Sequence, residues 1–283
     1  MTRRRSLALL AACALGCEPL VSGPSLSGQE RTFRPLGPLG AASHLTASVN
    51  LGDVDGDGSL DVVVANGRHW PEQNRIFLND GRGGFTLARR LGDEEDGTYA
   101  APLADFDGDG DLDLVLANRD GGANAIQWND AGAFDRRTIY GTGSDETRGV
   151  AVGDVDGDGI PDLVVANIGE ENAVYFGHSD GSFARSRPFG RDDDQSYAVS
   201  LADLDLDSDL DIVVANAGAR NAVYFNHGSE GGSGFEEFRF GCDDCSTYGI
   251  AVGDLNGDGF PEIVTANSGA PNVIFANIPA ADR

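Results

Sequence analysis

The sequence predicts an all-β chain folded as a five-bladed β-propeller of four-stranded blades, closed by its N-terminal strand completing the last blade. Three observations carry this prediction. An acidic loop recurs five times, its first Asp at Asp53, Asp105, Asp154, Asp203 and Asp254, at intervals of 52, 49, 49 and 51 residues, and a period of this size marks a repeat architecture. The residues between loops read as four short strands separated by turn signals. The chain also opens on a fourth-strand segment around Phe33 and stops near Asn277 after a third strand, so one end supplies what the other lacks.

Before the first repeat, Arg3, Arg4 and Arg5 precede a short apolar run from Ser6 to Gly16. That pattern is an export signal, expected over residues 1–16, and it is too short to span a bilayer. Cys13 and Cys17 each end a stretch resembling the lipobox of bacterial lipoproteins, so either is a candidate for lipidation. The Ser, Gly and Pro of residues 17–31 suit a flexible tether, residues 32–279 form the repeat domain, and residues 280–283 are a tail. The expected location is outside the cytoplasm of a bacterium, at the cell surface or in the periplasm, with a lipid anchor as the one membrane attachment; without that anchor the chain would be secreted.

Within a unit, other landmarks keep step with the loop. Phe33, Gly40 and Thr46 precede Asp53 at the same spacing as Phe85, Gly92 and Thr98 precede Asp105, and copies three and four repeat it. In the third copy the strands are expected at 148–153, 162–167, 173–177 and 182–189. The first strand of each unit is apolar at alternate sites, as in Val150 and Val152, with Ala, Gly or Ser between them. A strand of this kind suits burial between two closely packed sheets.

The five loops carry the metal chemistry. Their oxygen side chains are Asp53, Asp55, Asp57 and Asp61; Asp105, Asp107, Asp109 and Asp113; Asp154, Asp156, Asp158 and Asp162; Asp203, Asp205, Asp207 and Asp211; and Asp254, Asn256, Asp258 and Glu262. Hard oxygen ligands at alternate positions, with Gly allowing a sharp turn, favour Ca2+ over zinc or copper. Up to five ions are expected. An EF-hand would need Glu at position twelve, where Val64, Leu116, Val165, Val214 and Thr265 stand. In the fourth copy Leu206 and Ser208 replace Gly, and a left-handed Ser costs about 1 kcal/mol, so the Asp203 loop is expected to hold its ion most weakly. The loops contain 21 of the 46 acidic residues; without them the net charge of -26 falls to about -5. The acidity is thus mostly a set of local sites, and no nucleic-acid partner is expected of so acidic a chain.

These motifs resemble the FG-GAP, or VCBS-type, repeats of integrin-α-like propellers, whose blades carry Asp-x-Asp-x-Asp-Gly-x-x-Asp between their first two strands. The resemblance covers Phe33 to Asn277. It implies calcium at the loops and a role in extracellular adhesion or ligand binding. Integrin propellers have seven blades, so five is a departure.

At the end of the blades opposite the loops stand Tyr99, Arg148, Tyr197 and Tyr248, each one residue after the repeated Thr or Ser, with Trp70 in the longest turn of copy one. Rings beside the acidic inter-blade turns could hold a glycan or a protein ligand; equally, the tyrosines could cap the core while the acids are merely solvated. Cys242 and Cys245 read as a local disulfide rather than a zinc or redox pair, because zinc would need two further ligands. No residues are expected to be catalytic: there is no Ser-His-Asp spacing, phosphate loop or His-rich centre. A polysaccharide lyase or hydrolase, or a purely structural surface protein, are the alternatives to a binding module.

Overall fold

A computed structural model describes residue 35 and residues 37–228 and 234–278. Leu39–Arg283 forms one compact unit, and the other, Met1–Pro38, lies almost wholly outside the described residues. The expected signal, the lipidation candidates Cys13 and Cys17, the tether, the Phe33 strand and the tail lie there too.

Among the described residues, twenty strands and no helix build five antiparallel sheets. The first holds β1 (Thr46–Gly52), β2 (Asp61–Asn66), β3 (Glu72–Asn79) and β4 (Phe85–Asp96). The second holds β5 (Thr98–Ala100), β6 (Leu103–Ala104), β7 (Asp113–Asn118), β8 (Ala125–Asp130) and β9 (Ala133–Ile139). The third holds β10 (Thr147–Gly153), β11 (Asp162–Asn167), β12 (Asn172–Phe176) and β13 (Arg185–Phe189). The fourth holds β14 (Ser196–Ala202), β15 (Asp211–Asn216), β16 (Asn221–Phe225) and β17 (Glu236–Phe240). The fifth holds β18 (Ser246–Gly253), β19 (Glu262–Ser268) and β20 (Val273–Phe275).

Strand order within each sheet follows the sequence, as expected, but the count differs in two of them. In the second sheet the inner strand is split into β5 and β6, because Pro102 has no N–H for the ladder; its carbonyl still accepts from Val115 N. The fifth sheet has three strands among the described residues. Residues 93–96, one of the acidic stretches expected to be an inter-blade turn, are instead the end of the long strand β4.

The second strand of each of the first four units is buried over its whole length, which is why it reads as unbroken Val, Ile, Leu and Ala. Its alternate residues feed different cores. Val115, Ile126, Trp128 and Tyr140 pack with Leu163, Val165 and Tyr175 of the third sheet, while Leu114 and Leu116 pack with Val63, Ile76 and Ala65 of the first. A Phe from the outer segments of the second, third and fourth units wedges into a seam: Phe134 joins the core between the first two sheets, Phe183 meets Phe106 edge-on at 5.6 Å, and Phe235 meets Phe189 at 5.7 Å. Small residues on the inner strands allow close approach. A Cβ on Gly149 would lie 3.1 Å from the Ala198 Cα and the Tyr197 carbonyl.

A buried hydrogen-bond relay crosses every seam. Asn124 Nδ2 donates to Thr147 Oγ1, which donates to Asn167 Oδ1, and Asn172 Oδ1 accepts from Asn167 N. The next step repeats it through Ser196 and Asn216, and the last through Thr247 and Asn267. These polar residues survive in the core because each is partnered. Cys242 and Cys245 form the expected disulfide, with Cα atoms 5.5 Å apart. The bond staples a turn that, after β9, is held by Thr142 Oγ1 donating to Asp145 at 2.6 Å.

Among the described residues two sheet faces remain open. Val49 and Leu51 on β1 are 57% and 61% exposed, and Leu255 and Ile274 at the fifth sheet are 59% and 63% exposed. Val199 and Leu201, at the repeat positions of Val49 and Leu51, are packed against a core.

Candidate metal loops and ligand face

Each loop is folded by its own first Asp. Asp53 Oδ1 accepts from Gly56 N and Asp57 N, and Oδ2 from Gly58 N, at 2.9, 3.1 and 2.9 Å. Asp105, Asp154, Asp203 and Asp254 repeat the bond to the residue five positions on. The turn needs positive φ at two positions, held by Gly56 and Gly58 (73° and 87°) in the first loop and by Leu206 and Ser208 (64° and 77°) in the fourth. The fourth loop therefore keeps the common shape with two strained residues, one more than the Ser208 penalty alone.

The ninth position does more than the sequence implied. Asp61, Asp113, Asp162 and Asp211 are fully buried, and each carboxylate ties the loop to the end of the third strand. Asp162 Oδ2 accepts from Val155 N and Oδ1 from Gly177 N, both at 2.8 Å; Asp61 joins Val54 to Asn79, Asp113 joins Phe106 to Asn129, and Asp211 joins Leu204 to Asn226. Burial is the main force raising Asp113, Asp162 and Asp211 to about 6, with nearby loop carboxylates adding to it against the lowering effect of the N–H donors. Asp55 and Asp205 are raised by the same desolvation. Neighbouring loops are also linked: Asn129 Nδ2 donates to the Val54 carbonyl, Asn226 to that of Val155, and Asn277 to that of Leu204.

The donor atoms fit a hard cation in four loops. Carboxylate oxygens of Asp53, Asp55 and Asp57; of Asp105, Asp107 and Asp113; of Asp154, Asp156 and Asp162; and of Asp203, Asp205 and Asp211 lie within 4.8 Å of one another. Asp107 Oδ1 and Asp203 Oδ1 are buried with no hydrogen-bond partner. Asp109, Asp158 and Asp207 stand outside these groups of three, although Asp207 joins another described below. In the fifth loop no such cluster forms among the described residues: Asn256 Nδ2 lies between Asp258 Oδ2 and Glu262 Oε1, 2.9 Å from each.

At the far end of the inner strands the structure adds a reason for the residues noted above. The ladder shifts register between Thr98 and Ala100, Thr147 and Gly149, Ser196 and Ala198, and Thr247 and Gly249. Tyr99, Arg148, Tyr197 and Tyr248 are thus the extra residues of a repeated β-bulge, and a bulge re-aims its side chain. They form two pairs: the Arg148 guanidinium lies 5.8 Å from the Tyr99 ring centre, and Tyr197 meets Tyr248 edge-on at 4.6 Å. Trp70 is 72% exposed and makes no ring contact with either pair among the described residues. The acids nearby are not all solvated. Asp194 is buried against Arg239 at 2.5 Å, Asp145 is buried within its turn, and Asp96 pairs with Arg137 at 3.0 Å.

Sequence reading missed the relay, the inter-loop Asn bonds and the place of His227 beside the fourth loop. The relay had a signal, since Asn66, Asn118, Asn167, Asn216 and Asn267 each stand 20 residues after the repeated Thr or Ser. His227 had none, because its proximity is made by folding.

Among solved structures, the V. cholerae biofilm matrix protein Bap1 is similar, at 19% identity and a TM-score of 0.52 over 78% of this chain and 35% of that one. The chain therefore spans about a third of the Bap1 chain. BBS1N, crystallised in complex with ARL6DN, is similar at 11% identity and a TM-score of 0.55, over 88% of this chain and 68% of that one. Both likenesses concern the fold. No curated protein matches in sequence. The FG-GAP-like repeat model matches residues 53–116, 105–165, 154–214 and 203–265, each match running from one acidic loop into the second strand of the next unit. This chain belongs to the FG-GAP-like repeat family.

Proposed function

We propose that the chain is a calcium-stapled, five-bladed propeller that works outside the cytoplasm as a non-catalytic binding module for a glycan or protein ligand. The observation that carries the binding role is the bulge array: four re-aimed side chains at one end of the inner strands, with Tyr248 half exposed, at the opposite end from the acidic loops. Aromatic rings on rigid strands offer contact area at little entropic cost. The FG-GAP-like family and the fold shared with a biofilm matrix protein support a surface or adhesive setting. The test is a glycan and protein array probed with calcium-loaded protein. Tyr197→Ala combined with Trp70→Ala is expected to weaken the bound ligand at least tenfold; unchanged affinity would remove this face from the proposal, and turnover of an arrayed polysaccharide would replace it with an enzyme.

Closure into a ring is supported by what the two open faces hold. Asn272 occupies the repeat position of Asn221, which donates across a seam to Thr247, and Thr46 occupies the position of Thr247. Joining the fifth sheet to the first would continue the relay and cover Val49, Leu51 and Ile274. The Phe33 segment then serves as fourth strand of the fifth sheet. Leu204, Phe225, Phe240 and Phe275 line an apolar recess of about 290 Å³, at the repeat positions of Val155, Phe176, Phe189 and Tyr224, which gather around Phe235.

Closure makes a quantitative prediction. Thr147→Val leaves two buried amide groups unpaired and is expected to cost about 2–4 kcal/mol in urea denaturation. In a closed ring Thr46→Val costs the same, whereas a loss below about 0.5 kcal/mol would mean the first and last sheets do not meet.

A further inference from the structure

The fourth loop differs from its neighbours in the charge placed against it. At the second loop Arg136, paired in the ladder with Trp128, lies 4.0 Å from that ring centre and binds Asp107 at 3.0 Å. At the third loop Arg185, paired with Phe176, lies over that ring and binds Asp156. At the fourth loop the same ladder position, opposite Phe225, is Glu236. A guanidinium that neutralises the loop has been replaced by a carboxylate.

His227 stands in the gap. Its Nδ1 lies 3.8 Å from Asp205 Oδ2 and 3.6 Å from Asp207 Oδ2, while its Nε2 lies 3.3 Å from Glu236 Oε2. One ligand atom from each of Asp205, Asp207 and His227 lies within 4.8 Å of the others. The ring is held nearly parallel to Phe225, at 5°. A carboxylate that accepts the Nε2 proton fixes the tautomer whose Nδ1 lone pair faces the loop, the arrangement usual for a metal-bound imidazole. His178 occupies the corresponding place in the third repeat but pairs with Asp180 at 3.0 Å, and there Arg185 already serves the loop. In the fourth loop Asp203 Oδ1 is also buried without a partner.

We propose that the fourth loop is a mixed nitrogen and oxygen site for a first-row divalent ion such as Zn2+, held by Asp205, Asp207 and His227, with Glu236 as the positioning residue. Imidazole is a good ligand for zinc and a poor one for calcium. Ligands about 2.0–2.1 Å from a tetrahedral zinc lie about 3.3 Å apart, so the two His227 spacings of 3.8 and 3.6 Å need to contract only slightly. The remaining coordination position is open to water or to a group from a partner. The site is independent of calcium binding in the other loops.

The test uses the full chain, stripped by chelation and then titrated with Zn2+ by calorimetry, both with and without excess Ca2+. One equivalent of Zn2+ is expected to bind in both conditions, and Co2+ in its place should give the visible absorption of a tetrahedral site. His227→Asn should weaken Zn2+ at least tenfold while leaving any Ca2+-dependent rise in Tm unchanged, and Glu236→Gln should weaken it about tenfold. Zn2+ uptake that His227→Asn leaves unaltered would overturn the proposal. So would no uptake by the wild type, which would leave His227 as a protonated internal counter-ion to Asp205 and Asp207. A calcium reading that fails shows itself separately, as a Tm insensitive to Ca2+ in both proteins.

Discussion

Chelation of calcium at pH 7.5 is expected to lower the melting temperature by about 20 °C or more. A ligand present at about 100 times its dissociation constant adds about 2.7 kcal/mol per site, so the three formed loops other than the fourth contribute on the order of 8 kcal/mol, and in a domain of this size each kcal/mol moves Tm by about 2–4 °C. The pH dependence has a definite sign. Asp113, Asp162 and Asp211 have folded values of about 6 against an ordinary 3.8, so in metal-free protein they favour the folded state below pH 4. That contribution is lost as pH rises through 6. A bound cation favours the ionised form and reverses this loss, so chelation should do less at pH 5 than at pH 7.5. Differential scanning calorimetry with and without chelator at both pH values measures it, and a Tm insensitive to chelation at neutral pH would remove calcium from the account.

The second large effect separates the two kinds of acid in one loop. Asp162→Ala is expected to destabilise metal-free protein by about 2–5 kcal/mol, because the amides of Val155 and Gly177 are left buried without acceptors. Asp158→Ala removes an exposed side chain that accepts only from Ile160 N, two residues away, and should change metal-free stability by less than about 1 kcal/mol. With calcium present, both substitutions should reduce the ion's contribution. Urea titrations in chelator and in calcium give all four values; equal losses in chelator would refute the structural role assigned to Asp162. The design point is that the ninth carboxylate is first a covering for buried amides and only second a candidate ligand.

Much of this was legible in the sequence because the information is local and periodic. Asp53, Asp105, Asp154, Asp203 and Asp254 set the register, the run Asp162–Asn167 was marked as a second strand, and Gly56 and Gly58 marked a left-handed turn. The short spacing of Cys242 and Cys245 made a staple geometrically simple. Other features were not legible because they join residues remote in the chain. Arg239 reaches Asp194 across 45 residues, and Asn129 reaches Val54 across 75. Pro102 could have been read as a break in the inner strand, yet the unit count alone favoured four continuous strands.

The sequence by itself determined the repeat, its strand order, the acidic loops and the weak point at Leu206 and Ser208, because each depends on spacing and on the backbone preferences of nearby residues. Only the tertiary structure decided which carboxylates are buried, which side chains the bulges bring together, and that His227 and Glu236 meet the fourth loop where arginines meet two others. The physical reason is that burial and charge pairing arise when sheets pack, and packing brings together groups that the spacing along the chain does not relate.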